Sequence, residues 1–293
     1  MAQAAFRMAG RALRRTPLWA PIKAVAGQLS DDRSEWLRDR PLSAHQVDRL
    51  IEEVSRAIAE ALRGGPFIDE RLIERHVADF VNLLPACPVD QAGGGCGFNG
   101  GVLLFVIARA LRPTAVVESG VFRGFTTWVL RQALPDAALY CFDVTFANLR
   151  YRDARAVYVE RDWASFSFDG VDLSNSLAFF DDHINQLLRM EQCMARGIPH
   201  AVFDDCHPAH FLKGRPAYPT AAMVMDVDRL GTAPVKWRSG DREYEYLPEI
   251  VRLTAARDRA TALPLPNLCQ QTGYRPSHSW FVAFKPAAAE GPI

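Results

Sequence analysis

The sequence lacks the features that mark several protein classes. It has no uninterrupted apolar run of about 20 residues, the length that a membrane-spanning helix needs. Its first apolar stretches are broken by Arg14, Arg15, Pro17 and Pro21, so we expect neither a signal-peptide core nor a transmembrane segment. Basic and acidic residues balance at 34 each, so no overall field attracts a polyanion. We therefore expect no nucleic-acid partner.

Paired cysteine motifs are also missing. The six cysteines show no C-x-x-C pair and no regular spacing, which argues against a disulfide framework or a zinc ribbon. Cys141, in the run LYCFD, has the surroundings of a small buried hydrophobe. Free thiols of this kind indicate a cytoplasmic protein.

What the sequence does contain is typical of a globular enzyme. Its 293 residues are 49% apolar and 23% charged. Residues 1–30 are basic and amphipathic, and they suit a disordered start, a helix on a neighbouring subunit or a lipid anchor. We favour the first two, so a homo-oligomer formed through the N-terminal helices is a candidate assembly. Residues 31–96 are expected to form a helical cap, and residues 97–293 a Rossmann-like domain.

Apolar spacing predicts the elements of both parts. Ser43 to Leu62 reads as a helix with Ser43 as N-cap and Gln46 at the capping-box position, and Asp69 to Leu84 as a second helix. Cys87 to Gly101 is rich in glycine and is predicted to be a loop. Further helices are predicted at 102–111, 126–134 and 185–195, and strands at 115–118, 139–143, 156–160, 177–181, 201–204 and 279–285. Apolar strands that alternate with helices indicate a doubly wound α/β fold with a mostly parallel sheet, where ligands bind beyond the carboxyl ends of the strands.

The first of these strands runs into a turn with the pattern E-x-G-x-x-x-G, from Glu118 through Gly120 to Gly124. Glycine permits a sharp turn and a close approach by a ligand, although any strand-to-helix turn favours glycine. The spacing differs from the pyrophosphate-binding G-x-G-x-x-G, and a carboxylate at 118 would repel a phosphate. S-adenosylmethionine, with its sulfonium, ammonium and ribose hydroxyls, therefore suits the turn better than NAD.

Two later strand ends carry further candidates for the cofactor. Asp143 follows Gly124 by 19 residues, a distance at which an acidic residue accepts hydrogen bonds from ribose hydroxyls, although a turn or capping role is equally open. Asp162 could meet the adenine amine, and Trp163 could stack on the ring.

Acidic pairs follow the next two strands, in FFDDH and VFDDC. Adjacent strands would bring Asp182, Asp204 and Asp205 together, and clustered carboxylates need a cation to offset their repulsion. Oxygen ligands favour Mg²⁺, with Ca²⁺ or Mn²⁺ as alternatives, while helix or turn capping is the structural alternative. His183 is the leading candidate for a general base on a metal-bound hydroxyl. It could instead be a salt-bridge partner, and His207 and His210 compete for the role.

At these residues the chain resembles the class I S-adenosylmethionine-dependent methyltransferases, and more narrowly the metal-dependent O-methyltransferases of the macrocin O-methyltransferase and cephalosporin hydroxylase group. The resemblance rests on VVESGVFRGFTTW, FFDDH and VFDDC. It implies a seven-stranded sheet, and Asp182, Asp204 and Asp205 as metal ligands. The residues that it places around the cofactor are Asn99, Gly100, Glu118, Gly120, Phe122, Gly124, Thr126 and Asp143. One departure is Asn185, where catechol-type enzymes carry a lysine base.

The expected function is therefore divalent-metal-assisted methylation of a hydroxyl on a small molecule or a sugar-bearing natural product. Two alternatives remain open. One is a hydroxylase-like or other non-methylating enzyme on the same scaffold, and the other is a non-catalytic nucleoside-binding partner.

Overall fold

The computed structural model describes residues 42–63, 69–89, 95–207, 219–239 and 241–286. The basic segment predicted at 1–30, the first part of the predicted cap and His210 lie outside these ranges. The predicted domain boundaries and the N-terminal assembly therefore stay predictions.

Within the described residues, three helices precede the sheet. Helix α1 spans Ala44–Leu62, and its capping box between Ser43 and Gln46 is present as predicted. Helix α2 spans Glu70–Leu83, and α3 spans Gly97–Leu111. The prediction of a loop through residue 101 was wrong at its end, because the glycines at the start of α3 allow close packing within a helix. A Cβ on Gly100 would lie 2.4 Å from the Cβ of Cys96, and one on Gly101 would lie 2.8 Å from the ring of Phe125.

The remaining chain first alternates strands with helices and then adds antiparallel elements. The first group is β1 Ala115–Ser119, α4 Phe125–Ala133, β2 Ala138–Phe142, β3 Val157–Val159, β4 Ser176–Phe180, α5 Gln186–Ala195 and β5 His200–Phe203. The second group is α6 Ala221–Met225, α7 Val227–Leu230, β6 Val235–Ser239, β7 Arg242–Tyr246, α8 Ile250–Asp258, β8 Ala260–Pro264, α9 Cys269–Thr272 and β9 Trp280–Phe284. Short 3₁₀ turns lie at Leu84–Ala86 and Trp163–Ser165.

Seven strands form one sheet in the order β3-β2-β1-β4-β5-β9-β8. Strands β1 to β5 pair in parallel, and β9 runs antiparallel to both β5 and β8. This topology confirms the predicted doubly wound, mostly parallel, seven-stranded sheet. The chain moves outward from β1 to β3 and then returns to place β4 on the other side of β1. The carboxyl ends of β1 and β4 therefore flank the switch point where ligands bind in such sheets.

Both faces of the sheet are buried, because alternate strand residues point to opposite sides. Val116 belongs to the apolar core shared with α1 to α4, and Val117 belongs to the core shared with α5, α6 and α8. No helix in the described ranges is both long and apolar enough to cross a membrane. All six cysteines are free thiols.

Candidate active site

A cavity of about 490 Å³ opens at the carboxyl ends of the parallel strands, beside the switch point. Its walls come from the turns after β1, β2, β4 and β5. The lining residues are Gly95, Ser119, Gly120, Phe122, Phe142, Asp143, Val144, Arg161, Asp162, Asp181, Asp182, His183, Ile184, Arg189, Asp204, Asp205 and Arg275. Most of the predicted site residues thus border one space.

The turn after β1 needs both of its glycines, but for a reason that the motif alone does not give. Gly120 and Gly124 have φ angles of 92° and 85°, in the left-handed region that favours glycine. A Cβ on Gly120 would lie 2.4 Å from the carbonyl oxygen of Asp181, and one on Gly124 would lie 2.4 Å from that of Tyr151. The close approach that the glycines permit is therefore first of all an approach by the protein's own backbone.

Glu118 lies beneath this turn rather than at the cavity wall. Its side chain is buried and accepts hydrogen bonds from the Thr126 hydroxyl, from the Thr127 hydroxyl at 2.6 Å and from the Cys141 thiol at 3.3 Å. Burial raises the pKa of the Glu118 carboxyl above its ordinary value, and the hydrogen bonds oppose that rise. In the structure Thr126 and Glu118 bond to each other, and their predicted contact with the cofactor stays a prediction.

Asp143 holds the other side of the turn. Its Oδ2 accepts hydrogen bonds from the backbone N–H groups of Val121 at 2.9 Å and of Phe122 at 2.8 Å. Asp143 and Phe122 both line the cavity, as predicted for cofactor contacts. The ribose role of Asp143 stays a prediction, and it would depend on the other carboxylate oxygen.

A buried arginine on α5, Arg189, binds two of the predicted acidic site residues, Asp162 and Asp182. Arg189 is about 1% exposed, and it donates to both carboxylate oxygens of Asp162, at 3.0 and 2.7 Å. Its Nε lies 2.9 Å from Oδ2 of Asp182, which also accepts from the Ser119 hydroxyl at 2.7 Å. Burial raises the pKa of the Asp162 carboxyl, but the hydrogen bonds and charge of Arg189, together with a hydrogen bond from the N–H of Ala164, hold that pKa below its ordinary value. Arg189 was not predicted as a site residue, although a charged residue between Leu188 and Met190 of a predicted helix was a visible signal.

Three predicted cofactor contacts are corrected by burial. Trp163 is fully buried, with its ring 5.6 Å from that of Phe180, so it cannot stack on an adenine in the cavity. Asn99 is also fully buried, and its amide donates to the carbonyl of Arg275 and accepts from the Thr272 hydroxyl. Gly100 packs against Cys96 within α3. These residues support the wall of the site rather than face its ligand.

The acidic residues after β4 and β5 that lie together in the structure are not the set that the sequence predicted. Among the residues that the structure describes, the one set of three candidate metal ligands is Asp181, His183 and Asp205, whose ligand atoms all lie within 4.8 Å of one another. We call this set the acidic group. Nδ1 of His183 lies 3.1 Å from Oδ2 of Asp205 and 3.9 Å from Oδ1 of Asp181. Of the three predicted metal ligands, Asp205 belongs to the group and Asp182 and Asp204 do not.

Asp204 faces β9 instead. It is buried, and its Oδ1 accepts a hydrogen bond from the Ser279 hydroxyl at 2.7 Å. Burial, and then the neighbouring charge of Asp205, raise the pKa of the Asp204 carboxyl above its ordinary value. A second imidazole completes this side, since Nε2 of His207 lies 3.5 Å from Oδ1 of Asp205 and its ring packs on that of His278.

Comparisons with known proteins find partial similarities to methyltransferases. No protein-family model matches the chain. The ribosomal RNA small subunit methyltransferase G of Acidothermus cellulolyticus is 37% identical over 108 residues, which cover 36% of this chain and 46% of that protein. The chain thus spans about half the length of the curated relative that it matches.

Two solved structures are similar to parts of this one. The O-methyltransferase from Bacillus cereus in complex with SAH is 15% identical, with a TM-score of 0.40, over 80% of this chain and 99% of that one. The O-methyltransferase TomG from Streptomyces achromogenes, in complex with SAM, is 15% identical, with a TM-score of 0.34, over 80% and 98% of the two chains. The fold assignment itself rests on the sheet topology described above.

Proposed function

We propose that this chain is an S-adenosylmethionine-dependent O-methyltransferase that uses a divalent cation to methylate a hydroxyl of a small molecule. One observation carries the proposal. A single cavity at the switch point of the sheet is bordered on one side by the glycine turn at Gly120 and on the other by Asp181, His183 and Asp205. The methyltransferase named in the sequence comparison and the two O-methyltransferase structures support the same assignment.

The cavity suits a cationic nucleoside. Its volume of about 490 Å³ lies within the range of small-molecule sites, which is roughly 300–1,000 Å³. Carboxylates of Asp143, Asp181 and Asp205 line it, and they favour a ligand with a sulfonium and an ammonium over a dinucleotide with two phosphates. Phe122 and Val144 supply apolar wall for the adenosine part.

The acidic group fits a divalent cation. Two carboxylates and one imidazole offer three donor atoms within 4.8 Å of one another, so side-chain movements of on the order of 1 Å would bring them to the separations of ligands about 2.1 Å from a shared octahedral ion. The imidazole departs from the all-oxygen set that we expected, and a mixed nitrogen and oxygen set shifts the preference from Mg²⁺ toward Mn²⁺. When bound there, the cation would orient the acceptor hydroxyl and lower its pKa.

The reaction then needs mainly positioning from the protein. The C–O bond forms as the C–S bond of the sulfonium breaks and its electron pair stays on sulfur. The hydroxyl proton passes to a base or to water, and the products are the methyl ether and S-adenosylhomocysteine. The attacking oxygen must lie in line with the breaking bond, so walls on two sides of one cavity supply the geometry. His183 is in this arrangement a candidate ligand, and its role as general base stays a prediction.

Calorimetry with S-adenosylhomocysteine, with and without Mn²⁺ or Mg²⁺, tests the cofactor and the cation together. We expect binding of the nucleoside by the wild type and a separate cation response that Asp205→Asn removes. Asp169→Asn is the matched control, because Asp169 is exposed and lies outside the cavity. Absence of nucleoside binding would contradict the proposal, and equal cation binding by Asp205→Asn would contradict the cation site.

The acceptor is tested by transfer of a labelled methyl group from S-adenosylmethionine. The panel contains catechol-type phenols, glycosides and ribosomal RNA, the last because the curated relative is named as a ribosomal RNA methyltransferase. We expect transfer to a small hydroxyl compound that a chelator reduces. Preferential transfer to RNA would contradict the small-molecule acceptor, and an oxygenated rather than a methylated product would favour the hydroxylase-like alternative. Binding without transfer to any acceptor would favour the nucleoside-binding partner.

A further inference from the structure

A second cavity lies at the opposite edge of the sheet and takes no part in the proposed reaction. It has a volume of about 430 Å³ and opens between α2, the end of α3 and the loop from α4 to β2. His76, Arg109, Arg112, Leu134 and Pro135 are among its lining residues. It lies at the amino end of β1, so the strand separates it from the first cavity by on the order of 15 Å. We call it the basal cavity.

The basal cavity contains buried polar atoms that have no partner in the protein. His76 is buried, with 9% of the residue exposed, and neither Nδ1 nor Nε2 has a hydrogen-bond partner among the described residues. Nε of Arg109 is also buried and unpartnered. Folded proteins pair nearly all such atoms, and an exception points to a bound water or ligand. Because these atoms belong to residues that line one cavity, a single ligand in that cavity would supply hydrogen-bond partners to all of them.

The charges around the basal cavity favour an anion. Arg109 and Arg112 both line it, and Asp136 is the acidic residue among its lining residues. The acid beside Arg109 is Asp79, whose carboxylate lies 3.9 Å away, beyond hydrogen-bond distance. Both guanidinium groups can therefore donate to a ligand without breaking a hydrogen bond to a carboxylate within the described chain. Burial, followed by the positive charge of Arg109, lowers the pKa of His76, so its neutral ring offers one donor and one acceptor.

The opposite wall is apolar and fixed in place. Arg131 is buried, and its Nη1 donates to the carbonyl groups of Leu134, Pro135 and Ala137 at 3.2, 2.8 and 3.0 Å. Asp153 binds the same guanidinium through Nε. The loop from α4 to β2 is therefore held by the protein itself and does not depend on a ligand for its shape.

We infer that the basal cavity binds a small organic anion, with its carboxylate or phosphate between Arg109 and Arg112 and its apolar part against Leu134 and Pro135. His76 completes the site by a hydrogen bond to the polar part of the ligand. This inference does not depend on the proposed methyltransferase activity.

Ligand-observed NMR and calorimetry on the full chain test the inference, with S-adenosylhomocysteine present to fill the first cavity. The probes are benzoate and phenyl phosphate, which separate the two anionic groups, and benzyl alcohol as the neutral analogue. We expect one or both anions to bind and the alcohol to bind more weakly. Arg112→Gln should weaken binding of the anion by about tenfold or more, the effect of losing one charge-assisted hydrogen bond.

Two further variants sharpen the test. His76→Phe keeps an aromatic ring and removes both nitrogens, so it should also weaken binding of the anion while leaving the affinity for S-adenosylhomocysteine unchanged. Arg229→Gln is the matched control, since Arg229 is 84% exposed and lies outside the cavity. Failure of both anions to bind, or equal binding by Arg112→Gln and His76→Phe, would overturn the inference. So would a crystal soaked with both anions that shows only an ordered water on His76.

Discussion

Changing Asp182 to asparagine tests whether the second carboxylate after β4 holds a cation or holds Arg189. The sequence resemblance makes Asp182 a metal ligand, whereas the structure places its Oδ2 within 2.9 Å of Nε of Arg189. Asp181, one residue earlier, belongs to the acidic group instead. The two assignments predict opposite results for Asp182→Asn and Asp181→Asn.

The expected magnitude follows from burial. The side chains of Arg189 and Asp182 are 1% and 11% exposed, so asparagine would leave a buried guanidinium with one of its two anionic partners. Loss of a buried partner costs about 3–5 kcal/mol, and we expect about 2–3 kcal/mol here because Asp162 keeps both of its bonds to Arg189. At roughly 2–4 °C per kcal/mol for a domain of this size, the melting temperature should fall by about 5–10 °C.

Thermal unfolding and cation titration measure the two effects separately. Unfolding is followed by circular dichroism in the presence of a chelator, and Mn²⁺ binding by calorimetry well below the melting temperature. We expect Asp182→Asn to lose stability and keep cation binding, and Asp181→Asn to keep most of its stability and lose cation binding. If Asp182→Asn melts like the wild type and no longer binds Mn²⁺, the assignment of the acidic group is wrong.

Three more predictions follow from buried contacts. Gly120→Ala should lower the free energy of unfolding by more than the roughly 1–2 kcal/mol that a left-handed alanine costs, because its Cβ would also lie 2.4 Å from backbone atoms. Gly170→Ala is the control and should lower it by only that amount, because nothing lies within 4 Å of its Cβ. Urea unfolding compares the two variants. Arg131→Met should lower the free energy of unfolding by about 3–5 kcal/mol, since it leaves the buried Asp153 carboxylate without its ion-pair partner and removes three hydrogen bonds to the loop from α4 to β2; a smaller loss in Asp153→Asn, and little more in the double variant than in Arg131→Met alone, would support this account. Burial lowers the pKa of His200, so the unfolded chain takes up a proton there first, and the free energy of unfolding falls as pH drops below the ordinary pKa of 6.5. His200→Phe should therefore make the free energy of unfolding, measured with urea, less dependent on pH between about pH 7 and 5. An unchanged slope would contradict the assignment.

The elements that the sequence predicted well are those with local signals. Each predicted strand of the sheet lies within one residue of its observed bounds, from β1 at Ala115–Ser119 to β9 at Trp280–Phe284. Runs of apolar residues bounded by turn residues determine these segments, and no distant contact is needed to recognise them. The capping box of α1 is local in the same way, because its two residues are three apart.

The last third of the fold was harder to foresee. The hairpin of β6 and β7 and the short strand β8 were not predicted, although Ser239 to Asp241 stands between two alternating segments. Strand β8 contains Pro264 at its end, and among the described strands it pairs with β9 alone. Its residues are mostly part-exposed, unlike the buried apolar runs of β1 and β4, so the strand is stabilised by its neighbour more than by its own residues and periodicity alone did not identify it.

The sequence predicted the location of the site but not the role of each residue in it. Consecutive aspartates after β4 and β5 pointed to the correct edge of the sheet, yet the direction of each side chain depends on backbone that turns sharply there. His183 and Asp205 have φ angles of 56° and 53°, a conformation that non-glycine residues seldom adopt and that sequence does not signal. Asp182 likewise binds Arg189, a residue of another element, while Asp181 belongs to the acidic group, and the sequence around the two aspartates does not distinguish these roles.

The glycine turn and the acidic group are in the end one structural unit. The backbone at Asp181 can reach its position only because Gly120 has no side chain, and the N–H of Asp181 is bonded to the carbonyl of Ser119. The next residue, Asp182, is fixed to the same strand end by the Ser119 hydroxyl. The glycine turn that predicts a cofactor site therefore also determines the position of Asp181 relative to Asp205. Since in-line transfer depends on the relative placement of donor and acceptor, anything that displaces this turn must displace both sides of the cavity together.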